Sequence, residues 1–169
     1  MTLQRILNVL FIFVLCAVLL AAYGYQILER EEPCPLCLLQ RLGMIGIAIG
    51  LLMNLRFGIK AQHYGLAILS ALLGRTVSLR QIGLHVCPEF PTFGEPILGF
   101  DLYVWALIVF TCSTFACAVL LIIHGYSKHS ESVPTWGFLE KLSFALVILI
   151  TLGNIINTLV DCGLTSCTG

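Results

Sequence analysis

Charge is what this sequence has least of. Asp, Glu, Lys and Arg make up 11% of its 169 residues, against about 25% in an ordinary soluble domain. With 59% of the chain apolar, too few polar side chains remain to clothe a water-facing surface. A soluble globular protein is excluded. Disorder is excluded as well, because it needs low hydrophobicity and high charge. Nine basic residues balance nine acidic ones, so no basic stripe exists for nucleic acid. Internal repeats and low-complexity tracts are lacking too. Proline is scarce, and three of the six prolines, Pro88, Pro91 and Pro96, fall in one mid-chain stretch.

What is present is a series of long apolar runs. A membrane-crossing helix needs about 20 mainly apolar residues. Residues 6–28 carry no charge. This run outlasts the apolar core of a secretory signal, about 7–15 residues, and Leu15 before Cys16 is not the small residue of a lipoprotein cleavage site. It reads as a retained helix. Further spans are expected at 38–55, with Arg41 near its start, and at 61–84, with Arg75 and Arg80 in its later half. The last two, 102–125 and 142–160, lack charge. The expectation is an all-α membrane protein: one domain over 1–169, a four-helix transmembrane bundle plus a fifth C-terminal transmembrane helix. The stretch 87–101, rich in Pro and Gly, suits turns and not a helix.

An odd number of helices puts the two termini on opposite sides. Arg5, Arg56, Lys60, Lys128 and Lys141 fall on one side, and Lys and Arg mark the cytoplasmic face. The N-terminus is therefore expected inside and the C-terminus outside. Small residues recur four apart, at Gly46 and Gly50, Ala67 and Ala71, and Ser70 and Gly74. That spacing lets helix backbones approach closely in lipid.

This topology sorts the eight cysteines. Cys16, Cys112 and Cys117 lie in apolar helices, where a lone Cys behaves as a small hydrophobe. Cys34, Cys37, Cys87, Cys162 and Cys167 fall outside, in a compartment that permits disulfides if the cell is bacterial. Five is odd, so two pairs and one orphan is the simplest count. Cys34-Pro35-Leu36-Cys37 is a C-x-x-C directly before an apolar run. Pro33 and Pro35 prevent an earlier helix start, which places Cys37 in or just before the first turn. Free N–H groups and the helix dipole stabilise a thiolate there. Arg41, four residues on, shares the face of Cys37. Membrane arginines tend to be functional; for Arg75 and Arg80, snorkelling to the headgroups is an equal reading. Zinc competes for such cysteines but wants four ligands, and only His85 and a C-x-x-x-x-C at Cys162–Cys167 stand beside the single C-x-x-C. A purely structural disulfide is the plainest rival, though so short a ring constrains little. The Cys162–Cys167 pair suits exchange with another protein, or is a structural tail.

The stretch Glu32-Pro33-Cys34-Pro35-Leu36-Cys37-Leu38-Leu39-Gln40-Arg41 resembles the redox motif of the disulfide bond formation protein B (DsbB) family. So do Arg80-Gln81-Ile82-Gly83-Leu84-His85 and Leu98-Gly99-Phe100-Asp101-Leu102-Tyr103-Val104-Trp105. The resemblance covers residues 1 to about 125. It implies a four-helix membrane bundle of the bacterial inner membrane that passes electrons from thiols to a quinone, ubiquinone or menaquinone. It implies that Cys34 and Cys37 exchange electrons with quinone, with Cys37 next to the ring and Arg41 close by; Gln81 is a further candidate for that pocket. It also implies a second outer cysteine pair serving a periplasmic thioredoxin-like partner, DsbA. That pair usually sits between helices three and four, where this chain has only Cys87. Cys162 and Cys167 are read as the displaced pair, and Cys87 remains open to pairing with either. Vitamin K epoxide reductase is the rival enzyme family, and a membrane protein with structural disulfides the non-enzymatic alternative.

Overall fold

Apolar runs of this length fold as helices because, in hydrocarbon, every backbone N–H and C=O must be paired within its own segment. The computed structural model describes residues 3–29, 34–85, 96–126 and 137–162. They form α1 (Leu3–Glu29), α2 (Pro35–Phe57), α3 (Ala61–His85), α4 (Leu102–Tyr126) and α5 (Phe138–Cys162). Helices α1, α2, α4 and α5 are long and apolar enough to cross a membrane. Helix α3 is as long but more polar, with His63, Arg75, Arg80 and Gln81 along it. It packs between α2 and α4, while α5 lies against α1 and α2. Outward-facing Leu10, Phe115 and Leu149 give the bundle a lipid-compatible surface.

The small residues lie on the helix contacts. A Cβ on Gly46 would stand 2.7 Å from Ser70 Oγ, and one on Gly50 would stand 2.8 Å from the His63 carbonyl oxygen. A Cβ on Gly74 would meet the Phe110 ring at 2.2 Å. Glycine at these points lets α2, α3 and α4 close on one another.

Two helices begin well before their apolar runs. Helix α1 starts at Leu3 and α5 at Phe138, because the polar residues there are internal contacts. Glu140 is buried; it accepts from Arg5 Nε at 3.0 Å and from the Gly137 N–H at 3.0 Å. Arg5 also donates to the Leu55 carbonyl at 3.3 Å. Beside this pair, Asn8 Nδ2 donates to Tyr64 Oη at 2.7 Å and Asn54 Nδ2 to Asn8 Oδ1 at 3.3 Å. Side-chain hydrogen bonds of this kind hold membrane helices together. They join α1, α2, α3 and α5 at one end of the bundle. The opposite end gathers the C-termini of α1, α3 and α5 with the N-termini of α2 and α4. Among the described residues Cys16, Cys112 and Cys117 are free thiols.

Candidate functional site

The site is built on the first turn of α2. Cys34 precedes proline, which holds its backbone extended, with φ −67° and ψ 149°. Pro35 then opens the helix, where a missing N–H leaves nothing unsatisfied. Cys34 is the N-cap: its Sγ accepts from the Cys37 N–H at 3.1 Å, and its carbonyl accepts from Cys37 at 2.9 Å and from Leu38 at 3.2 Å. A disulfide joins Cys34 and Cys37, with their Cα atoms 5.2 Å apart. The helix N-terminus thus points a free N–H at the sulfur of Cys34 and not at that of Cys37. Cys37 is the third helical residue, the position whose N–H a capping side chain takes. Cys34 is buried and Cys37 half-buried.

Helix α3 brings Gln81 onto the same sulfurs. Its Nε2 lies 3.3 Å from Cys34 Sγ and 3.6 Å from Cys37 Sγ. Gln40 Nε2 donates to Gln81 Oε1 at 2.8 Å, which turns the Gln81 nitrogen toward the disulfide. Both amides are buried. Arg41, one turn along α2 from Cys37, is only 8% exposed. Its Nη1 donates to Gln26 Oε1 at 2.7 Å, its Nη2 to the Ala22 carbonyl at 3.4 Å, and its Cζ lies 4.4 Å from the centre of the Tyr23 ring. Helix α1 therefore shields this cation from lipid.

These groups border one cavity of about 300 Å³, lined by Cys34, Cys37, Gln40, Arg41 and Gln81 together with apolar walls that include Leu19, Met44, Trp105 and Val109. That is the small end of the range for ligand pockets, about 300–1,000 Å³. Of the residues singled out in the sequence, Cys34, Cys37, Arg41 and Gln81 meet here. Cys162 ends α5 at this same end of the bundle, and its side chain lies outside the described residues, as do Cys167 and Cys87. His85 stays off the cavity; its Nδ1 is 2.7 Å from the Gln81 carbonyl and its ring stacks on Tyr103 at 5.0 Å. Arg75 and Arg80 are exposed and take no part.

Sequence reasoning missed Gln40, Gln26 and Tyr23. Gln40 was inside the quoted redox motif. Gln26 and Tyr23 carried a different signal: polar atoms late in a run that is otherwise apolar, where each needs an internal partner.

Comparison with known proteins gives the same assignment. The family model described as disulfide bond formation protein DsbB matches residues 4–94. Disulfide bond formation protein B of Ralstonia nicotianae is 26% identical over 151 residues, spanning 84% of this chain and 92% of the relative. That of Chromohalobacter salexigens is 32% identical over 151 residues, spanning 82% and 83%. That of Chromobacterium violaceum reaches 48% over 63 residues, spanning 34% and 37%. No solved structure matches the chain. A matched stretch that includes both cysteines and covers more than half of the sequence settles the family: this multi-pass membrane protein belongs to the disulfide bond formation protein DsbB family.

Proposed function

We propose that this protein is a quinone-dependent thiol oxidase of the bacterial inner membrane, which reoxidises a periplasmic thioredoxin-like dithiol protein of the DsbA type. The observation that carries the reading is the placement of the Cys34–Cys37 disulfide on the wall of an apolar cavity that also holds a buried cation and two linked amides. A disulfide serving only as a staple needs no such cavity, and a ring of three-residue separation stabilises little. The residues fit a quinone headgroup. Leu19, Met44 and Val109 suit a ring and tail, while Arg41 and Gln81 can donate to carbonyl oxygens. Quinone, when bound, supplies the acceptor for two electrons and two protons, which regenerates the disulfide.

The chain's own groups handle the sulfur chemistry. A partner thiolate attacks the Cys162–Cys167 disulfide; the mixed disulfide resolves, leaving the partner oxidised and the tail reduced. A tail thiolate then attacks Cys34, the S–S bond to Cys37 breaks, and Cys37 leaves as thiolate beside Gln81 and Arg41. The second tail thiol displaces Cys34 and restores the tail disulfide. Cys34 returns as the capping sulfur, held by the Cys37 N–H and Gln81. Two electrons pass at each step, and every proton of the partner dithiol is accounted for in the reduced pair. The positive-inside pattern supports a periplasmic position for the disulfide end of the bundle.

The test mixes purified protein with a quinone and a reduced thioredoxin-like partner and follows quinone reduction optically. Catalytic loss of quinone absorbance is expected, and none would refute the reading. Arg41→His should raise the quinone concentration for half-maximal rate by about tenfold, the equivalent of about 1.4 kcal/mol, with folding intact. An unchanged value would remove Arg41 from the pocket.

The tail has its own test. Replacing Cys162 and Cys167 together with Ser should stop partner oxidation and leave the Cys34–Cys37 disulfide able to form, while Cys87→Ser does little. The reverse pattern, read by thiol labelling of the partner, would make Cys87 the residue that faces it.

A further inference from the structure

Helix α5 reaches Arg41 through α1. Asn154 and Asn157 are three residues apart on α5, hence on one face. Tyr23 and Gln26 are three apart on α1 and face them. Tyr23 Oη donates to Asn154 Oδ1 at 3.1 Å, and Gln26 Nε2 to Asn157 Oδ1 at 3.4 Å. The same two α1 residues grip the guanidinium: the Tyr23 ring centre lies 4.4 Å from Arg41 Cζ, and Gln26 Oε1 accepts from Arg41 Nη1 at 2.7 Å. Two parallel links thus run from α5 to Arg41, and neither asparagine touches the cavity.

We propose that Asn154 and Asn157 are positioning residues for Arg41, so that the seating of α5 sets how tightly the pocket holds quinone. This rests on the quinone reading above. The physical ground is orientation. A glutamine amide has a donor end and an acceptor end. Asn157 Oδ1 takes the donor end of Gln26, which leaves the oxygen facing the guanidinium. Without Asn157 the amide is free to turn its NH₂ toward Arg41, a donor against a donor. Asn154 acts likewise on Tyr23 by tying down the hydroxyl and with it the ring whose face attracts the cation. An arginine side chain has many rotamers to lose, so a guanidinium that must meet a ligand in one orientation binds better when its neighbours hold it there.

The test uses the full-length protein in detergent with Trp136→Phe, which leaves Trp105, a cavity residue, as the only tryptophan. A short-chain ubiquinone is titrated and quenching of Trp105 gives Kd without turnover. Asn157→Leu and Asn154→Leu should each raise Kd about three- to tenfold, up to about 1.4 kcal/mol. Tyr23→Phe, a mild change that keeps the ring, should match Asn154→Leu, and the two combined should weaken binding no more than either alone, since they cut one link. Unchanged Kd in these variants, or fully additive effects of Tyr23→Phe and Asn154→Leu, would overturn the inference while leaving the pocket intact. Absence of saturable quenching in the unaltered α5 protein would instead overturn the quinone reading itself. Should the Leu variants fail to fold, Tyr23→Phe alone decides.

Discussion

Cys37→Ser is expected to end quinone reduction, lowering the rate by at least about a thousandfold, the scale seen when the reacting group of an enzyme is removed. A hydroxyl cannot form or break the bond that stores the electron pair. Among the described residues no substitute is at hand: Cys16, Cys112 and Cys117 are free thiols, but none lines the cavity. Cys34→Ser should be as severe, for a different reason. Cys34 is the sulfur that the Cys37 N–H and Gln81 address, and in the proposed relay it is the atom a tail thiolate attacks. The two variants therefore separate by what accumulates. Cys37→Ser keeps Cys34 as a thiolate that can attack the Cys162–Cys167 disulfide and release one tail thiol. The resulting mixed disulfide of Cys34 with Cys162 or Cys167 should be visible by peptide mass spectrometry under non-reducing conditions once free thiols are alkylated. Cys34→Ser should show no such adduct. A Cys37→Ser protein that keeps more than about 1% of the rate, far above the loss expected for a reacting sulfur, would mean that electrons leave by another route.

Gln81 links these outcomes to the rest of the site. It was legible in the sequence only as a polar residue in a family-like stretch. Its use is not: nothing in the order of residues says that Gln40, 41 residues earlier, supplies the donor that turns its nitrogen toward the disulfide. The local part of the site was legible throughout. Pro35 and the C-x-x-C set where α2 begins, and spacing alone put Arg41 under Cys37. Placing Cys37 in the first turn does not reveal that its N–H lies on the sulfur of Cys34, which only the folded cap shows. Contacts between helices were out of reach for the same reason. Tyr23, Gln26, Asn154 and Asn157 are ordinary polar interruptions of apolar runs until packing brings α1, α2 and α5 together.

The same contrast holds for the fold. Four of the expected spans meet the length and composition of membrane helices, since hydropathy is a property of a single segment. Helix α3 shows where that criterion stops. Its polar side chains lower its apolar character, yet it fills the space between α2 and α4 because small residues line it: Ala67, Ala71 and Gly74 are all buried. Buried Glu140 misled the reading of where α5 starts, as a charge next to Lys141 resembles a loop until Arg5 is placed against it.

Gly74 carries the largest structural prediction. A Cβ there would lie 2.2 Å from Cζ and 2.3 Å from Cε1 of Phe110, distances that no relaxed contact tolerates. Phe110 has nowhere to retreat. It is completely buried, and its ring already lies 3.1 Å from the Cβ position of Gly43 on the α2 side. Gly74→Ala must therefore push α4 away from α3 or force the ring off its rotamer. Overpacking of this kind costs about 1–3 kcal/mol, occasionally more, and the closeness of the clash puts this case at the top of that range. The alanine's better helix propensity, about 1 kcal/mol, offsets only part of it. The variant should unfold in detergent at a clearly lower temperature or denaturant concentration. Gly65→Ala and Gly83→Ala are the matched controls, because nothing lies within 4 Å of either added methyl; they should be neutral or stabilising by up to about 1 kcal/mol. Phe110→Leu combined with Gly74→Ala should recover part of the loss, since the smaller side chain makes room for the methyl and the two changes share one contact. A Gly74→Ala protein as stable as the Gly65→Ala control would mean that α3 and α4 do not approach as closely as their small residues allow.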